Sequence, residues 1–479
     1  MPNHGIFVYE RATSVSAPIV AKVGIPFFIG AAPVQSAETP EPAEETVLCT
    51  SWEEAVEKLG YSEQKNADGT YKYSLCECMY SHFNLFGRQP AIFCNMLDPA
   101  TMSVVVAPEN IAVDDHKAKL PVDAVNDDAS LLIKEADGGA ALVRGVDYEA
   151  YYAGENLIIE LLPDGGAYSA SEINAGYKTV TPASVTPALV ATGLQNIEKC
   201  LTSAGIVPDL IAAPGYSHNP TVAAVMATKA AGINGIFRAK ALVDISTSED
   251  GGARSYTAAI ACKKDNNLID ENQIVCWPLV KLGDHVFHMS TQLAGLIATV
   301  DSNNEGCPYE SPSNKALKCN GLAMAGGGYI NLIKAQADIL NANGIVTALN
   351  FMSGWTAWGN YTGCYPANAD VKDFFIPISR MFDWIGNTVI RTFWAKLDKP
   401  MNTRLVGNIM DTCNIWLNGL KGSGYILGAR VEVREDENPL TDLMAGIVRV
   451  HIYATPPPPA QEIDFILEYD VNYVASALA

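Results

Sequence analysis

The amino-acid sequence predicts an α/β protein assembled from several units, and three observations carry that prediction. Between residues 181 and 359, amphipathic helical stretches alternate with short apolar runs, the pattern of a mostly parallel sheet covered by helices. Residues 96–180 break the pattern with short β-prone runs separated by Asp137-Gly138-Gly139 and Asp164-Gly165-Gly166 turns. A length of 479 residues suggests about three domains at roughly 150 residues each. With 48% hydrophobic and 18% charged residues there is material for several cores, which excludes disorder as the main state.

The elements follow in order. Gly5–Tyr9 reads as a short strand and residues 23–30 as a buried one, followed by a Pro- and Glu-rich loop at 33–46. Ser51 caps a helix, with Glu54 completing a capping box and Trp52, Ala55, Val56 and Leu59 forming its apolar face. The runs 102–107, 130–134, 141–144 and 156–162 make a small all-β unit of the sandwich kind. Thr186 caps the next helix, Pro187 opens it, and Leu189, Val190, Leu194, Ile197 and Leu201 form its stripe. Then come a buried strand after Gly205, a helix at 220–231, strands at 235–245 and 274–280, a helix near 329–341 and a strand at 344–351. Two long helices, 369–394 and 402–419, and two strands, 425–434 and 443–454, make a separate α+β unit. Pro456 to Pro459 form a stiff spacer.

The sharpest pattern closes the chain. In residues 462–473, Ile463, Phe465, Leu467, Tyr469, Val471 and Tyr473 fall on one face, and Glu462, Asp464, Glu468, Asp470 and Asn472 on the other, with Ile466 the exception. That is a half-buried strand of 12 residues, ~40 Å long at ~3.3 Å per residue. A lone strand cannot satisfy its backbone, so it either folds back on its own domain or adds to a sheet of a neighbouring copy. Ile6, Phe7, Val8 and Tyr9 fit the same role at the other end. Two arms on one subunit make head-to-tail contacts, which build rings or open helices.

Composition removes other classes. The formal net charge of −21 opposes nucleic-acid binding. No stretch is apolar enough to cross a membrane, and the start lacks the basic-then-apolar pattern of a secretory signal. The 11 cysteines are scattered, with only Cys76 and Cys78 close together, and read as free thiols. No spacing of Cys, His or carboxylates argues for a metal, and no cofactor is expected.

Catalytic motifs are weak. Gly422 to Gly428 fails the dinucleotide fingerprint, because it precedes a strand, and Gly326-Gly327-Gly328 lacks the Lys-Ser/Thr of a phosphate loop and reads as a helix entry. Gly215-Tyr216-Ser217-His218-Asn219 approximates a nucleophile elbow until Asn219 replaces the last glycine. A serine hydrolase at Ser217, served by His285 or His288 with Asp284, is therefore the competing reading. The structural one is a strand-to-helix turn, with Asn219 capping and Pro220 at the first helical position. His285 and His288 as a metal pair are disfavoured, since i and i+3 on a strand face opposite ways.

The chain resembles the contractile tail sheath proteins of phages and phage-tail-like particles over nearly its whole length. The likeness rests on GIFVYE at 5–10, PFFIGAAP at 26–33, PDLIAAPGYS at 208–217, RTFWAKLDKPMNTRL at 391–405, GYILGARV at 424–431 and GIVRVHIYATPPPPAQEIDFILEY at 446–469. It implies a non-enzymatic subunit with an N-terminal arm and linker at 1–25 and a discontinuous, subtilisin-like but non-protease α/β domain at 26–95 and 181–359. An outward-facing β-sandwich is inserted at 96–180, a tube-facing α+β domain spans 360–455, and a proline linker with the C-terminal arm covers 456–479. It also implies six-membered rings stacked into a sleeve, arms donated to neighbouring copies, and contraction that drives an inner tube into a target envelope. Partners would be the tube, baseplate and terminal cap proteins, in a particle assembled in the bacterial cytoplasm. Linkers at 11–18 and 456–460 would let the bodies rotate.

Charge adds an orientation. Residues 31–180 carry a net of −16 and residues 360–455 a net of zero, so the acid sits in the unit expected to face outward. In the balanced unit, Arg404 and Lys421, near the ends of one long helix, are the candidate tube contacts.

Overall fold

The computed structural model describes residues 17–470 and Tyr473, so Ile6–Tyr9 and Val471 lie outside the described residues. The chain opens with strands β1 (Pro26–Gly30), β2 (Thr46–Cys49) and β3 (Ala91–Asn95). Six strands follow: β4 (Ser103–Asp114), β5 (Lys117–Pro121), β6 (Leu131–Lys134), β7 (Tyr148–Ala153), β8 (Asn156–Leu161) and β9 (Glu172–Val180). Then come β10 (Leu210–Ala212), β11 (Lys240–Asp244) and β12 (Gln273–Cys276). A small antiparallel sheet holds β13 (Leu279–Leu282), β14 (His285–Phe287), β15 (Gly321–Ala323) and β16 (Tyr329–Ile330). Last are β17 (Ile345–Asn350), β18 (Trp355–Trp358), β19 (Gly428–Glu432) and β20 (His451–Thr455).

The main sheet has eight strands in the order β18-β17-β12-β11-β10-β1-β3-β2. Its six inner strands are parallel, and β2 and β18 close the edges antiparallel. Strands β1, β3, β10, β11 and β12 are buried at every residue, and β1 and β10 accordingly read as unbroken apolar runs. Between β3 and β10 the chain leaves this sheet for the second one, which has its own core around Leu120, Ile133, Leu157, Ile159 and Ile173. That sheet is continuous and antiparallel, in the order β6-β9-β4-β5-β8-β7. The 12-residue β4 serves both halves, pairing β9 through Ala112 and β5 from Val113, with an irregularity between Val106 and Glu109. The third unit pairs helices Ile376–Phe393 and Thr403–Gly422 with the hairpin-like sheet β19–β20, around Met381, Trp384, Ile385, Leu417 and Val431.

Buried charge joins the third unit to the first. Arg380, in the helix Ile376–Phe393, donates to Asp301 Oδ1 at 2.9 Å and to Asp209 Oδ2 at 2.8 Å. Asp209 Oδ1 also accepts from the Ile25 N–H at 2.7 Å, just before β1. Lys240 of β11 pairs with Asp383 at 2.8 Å. The segment just before β1 is docked along the same helix: Ile19 N–H bonds Thr392, Ala21 N–H bonds Thr388, and Trp384 Nε1 donates to the Ala21 carbonyl at 2.9 Å. Most of the linker expected at 11–18 lies outside the described residues.

Several expectations are corrected. Residues 443–450 are not strand, because a short helix, Leu440–Met444, ends in a turn where Gly446 takes φ +82°. The helix foreseen at 369–394 is two, Val371–Phe374 and Ile376–Phe393, with Pro377 in the first turn of the second. Gly326, Gly327 and Gly328 all take positive φ in the β15–β16 turn, so they cannot enter a helix, which starts at Lys334. Cys76 and Cys78 sit in a helix that the sequence did not reveal, Ser74–Met79, because all six residues are buried and show no period. Residues 141–144 contribute only isolated bridges.

Arg380→Met leaves two buried carboxylates without their cation. The expected cost is about 3–5 kcal/mol of unfolding free energy, read by urea titration; a loss under ~1 kcal/mol would show that the cluster does not hold the units together.

Candidate assembly surfaces

The C-terminal arm leaves the body by a fixed route. Pro456 is buried, and Gln461 Oε1 accepts a 2.6 Å hydrogen bond from the Tyr361 hydroxyl. Tyr361 is itself held by stacking on Tyr365 at 3.9 Å and by Phe374 and Phe375. The spacer is thus seated at both ends. From Glu462 the chain forms no strand through Asp470, and Ile463, Phe465, Leu467, Tyr469 and Tyr473 are exposed, Leu467 to 94%. Over residues 462–470 the alternating pattern therefore adds to no sheet among the described residues, and Ile463, Phe465, Leu467 and Tyr469 are exposed to water.

A sheet with room for strands lies in the same unit. Among the described residues, strands β19 and β20 pair only with each other, so each presents one edge without a described partner strand. Ala429, Val431, Ile452 and Ala454 turn toward the core of the unit. On the other face the Arg430 guanidinium lies 3.8 Å from the Tyr453 ring centre.

The helix Thr403–Gly422 carries the two candidate tube contacts. Asn402 caps it by accepting from the Leu405 N–H at 2.9 Å. Arg404 and Lys421 are both exposed. At ~1.5 Å and ~100° per residue they stand ~25 Å apart along the helix and ~100° apart around it. They are two separate positions, not one basic patch. Asp411, Ile415 and Asn418 share the exposed line of Arg404.

The competing catalytic site does not assemble. A cleft of about 760 Å³ opens beyond the C-terminal ends of β1, β10 and β11, lined by Glu77, Gly215, His218, Asp244 and His288. Ser217 is fully buried beside it, donating to Asp244 Oδ2 at 3.2 Å and accepting from the Asp244 N–H at 3.0 Å. Asp244 also accepts from the Ser290 N–H at 2.9 Å and hydroxyl at 2.5 Å. Burial raises its pKa. Histidine is committed elsewhere: His285 Nδ1 meets the Tyr71 hydroxyl at 2.5 Å and His288 Nδ1 meets Glu77 Oε2 at 2.9 Å. Asp284 offers its carbonyl to Lys65. Asn219 caps the helix Pro220–Ala231, accepting from Thr221 N–H at 3.0 Å. The glycine-less elbow is a capped turn. The described cysteines are all free thiols, and among the described residues no group of three or more His, Cys, Asp or Glu is placed to hold a metal. No helix among them is long and apolar enough to cross a membrane.

Known proteins resemble the chain over nearly its whole length. The chain is 24% identical to the tail sheath protein of Burkholderia phage BcepMu, with 98% of this chain and 97% of that protein aligned. Its fold matches the sheath complex of an extracellular contractile injection system, PVC, in the contracted state, with TM-score 0.58, 14% identity, and 99% of both chains covered. It likewise matches a chain of the anti-feeding prophage baseplate, with TM-score 0.57, 15% identity, and 98% and 99% covered. The likeness is to contractile tail sheath proteins. No protein-family model matches the chain. The mixed α/β architecture is the one the sheath structures share.

The Glu77–His288 pair makes a measurable pH signature. Burial opposes the imidazolium, but Glu77 outweighs it and moves the His288 pKa from 6.5 to about 9. A pKa raised in the folded state gives stability that is full below pH ~6.5 and fades as pH rises through about 9. The melting-temperature advantage of the wild type over Glu77→Gln is therefore expected to be largest near pH 6 and to shrink by pH 10. A constant advantage across that range would remove the ion pair as its cause.

Proposed function

We propose that this chain is the repeating subunit of a contractile tail sheath. Copies polymerise as stacked six-membered rings around an inner tube, and their contraction drives the tube through a target envelope. The observation that carries this is a pair of complementary features on one chain: an exposed strand-patterned arm, and a two-stranded sheet whose two outer edges have no partner among the described residues. Two arms per subunit, Ile6–Tyr9 and Ile463–Tyr473, match two edges per sheet. Main-chain pairing gives such contacts strength and register, and the arm's apolar face would extend the core under Val431 and Ile452.

The remaining roles follow from placement. The parallel-sheet body corresponds to the subtilisin-like, non-protease domain, and the sheet β4–β9 to the inserted sandwich facing outward, where its acid keeps sleeves apart. The unit 360–455 faces the tube, with Arg404 and Lys421 as contacts. Baseplate and terminal cap proteins are the other partners, and the particle is a virion tail or a phage-tail-like device assembled in the bacterial cytoplasm.

Deleting residues 461–479 should abolish sleeves and rings in negative-stain micrographs while leaving the melting temperature of the body unchanged. Sleeves that persist would reject arm donation. Charge reversal at Arg404 or Lys421 should weaken co-assembly with tube protein, and unchanged co-assembly would remove both as contacts. Neither wild type nor Ser217→Ala should cleave an ester panel, whereas serine-dependent turnover would restore the hydrolase.

A further inference from the structure

The arm is too long for the sheet proposed to receive it. Strands β19 and β20 are five residues each, or ~17 Å, whereas the arm alternates over 12 residues, or ~40 Å. Five residues of acceptor cover at most three of the arm's six apolar side chains. The rest need another apolar surface.

One stands at the end of the same sheet. The excursion between β19 and β20 turns apolar side chains outward: Leu440 is 72% exposed, Met444 81% and Ile447 46%. Leu440 and Met444 are four residues apart in the helix Leu440–Met444, so they lie on one face. The excursion is braced. Asn438 Nδ2 donates to the Arg434 carbonyl at 2.8 Å and the Arg449 carbonyl at 3.0 Å, and its Oδ1 accepts from the Arg449 N–H at 2.7 Å. Arg449 also grips Asp442 at 2.5 Å, and Ile447 N–H bonds the Asp442 carbonyl at 2.9 Å. These bonds clip the loop to the two residues that flank the sheet, just after β19 and just before β20. The apolar face is thus held ready at the sheet's end, without a partner among the described residues.

We infer that Leu440, Met444 and Ile447 form the seat for the part of a second copy's arm that overruns the β19–β20 sheet. This rests on the proposed arm donation and deepens it: the sheet's edge supplies backbone pairing, and the braced loop supplies the apolar contact that fixes how far along the arm is engaged. Its occupant is residues 462–473 of another copy of this chain.

Photo-crosslinking on the full-length chain tests it. A benzoyl-phenylalanine is placed at Met444 in one preparation and at Tyr453, on the sheet itself, in another. Both are expected to give intermolecular adducts that mass spectrometry maps to residues 462–479. Adducts to the arm from Tyr453 but to any other segment, or to none, from Met444 would overturn the seat and leave arm donation standing. Arm adducts from neither would overturn both. The pair Leu440→Asp and Met444→Asp, at exposed positions, should leave the melting temperature in place and lose sleeves; sleeves of wild-type length and yield would also overturn the seat.

Discussion

The Arg380 guanidinium, clasped by Asp209 and Asp301, decides how the rest of the molecule can behave. It reaches from the C-terminal unit into the parallel-sheet body, and Asp209 passes the constraint on to the start of β1 through Ile25. Lys240 and Asp383 repeat the junction one turn further along the helix. Burying so much charge is costly, and similar volumes of apolar side chain would hold the units together at least as well. What ion pairs add is orientation: a shifted helix would leave full charges unpaired in a dry interface. The body and the C-terminal unit therefore act as one rigid piece. In the proposed sleeve, rearrangement falls between copies and at the arms, not at this junction.

The sequence shows its local rules and hides its long-range ones. Strands β1 and β10 were legible because a strand buried on both faces is an uninterrupted apolar run. The caps at Ser51 and Asn219 were legible because a side-chain oxygen placed before a helix has one common use, and both accept the expected N–H bonds. The Arg380 cluster was not, since its partners lie 79 and 171 residues away and nothing local marks a charge as buried. Helix Ser74–Met79 was hidden by its complete burial, which erases amphipathic period.

The assembly surfaces divide the same way. The arm announced itself by period-two alternation, a pattern that needs no partner to be read. Its proposed acceptor was half visible: β19 and β20 were foreseen, but Met444 and Ile447 fell within the run 443–454, which read as a longer β20. Only the positive φ at Gly446 and the Asn438 brace turn that run into a helix with an outward face. Arg404 and Lys421 read from sequence as the two ends of one helix, and what the structure adds is that both are exposed.

The spacer sets where motion can occur. Proline favours an extended chain, so the four residues 456–459 already hold their direction. The Tyr361–Gln461 hydrogen bond pins the far end to an aromatic cluster beside the helix that carries Arg380. The first position that can turn is then Glu462, immediately before the alternating segment. A pivot there, between a rigid body and a strand held by main-chain bonds, lets copies change their relative angle in the proposed sleeve while each arm stays engaged. Placing the pivot at the prolines instead would demand that Pro456 leave its buried site and Gln461 release Tyr361 in every subunit at each contraction.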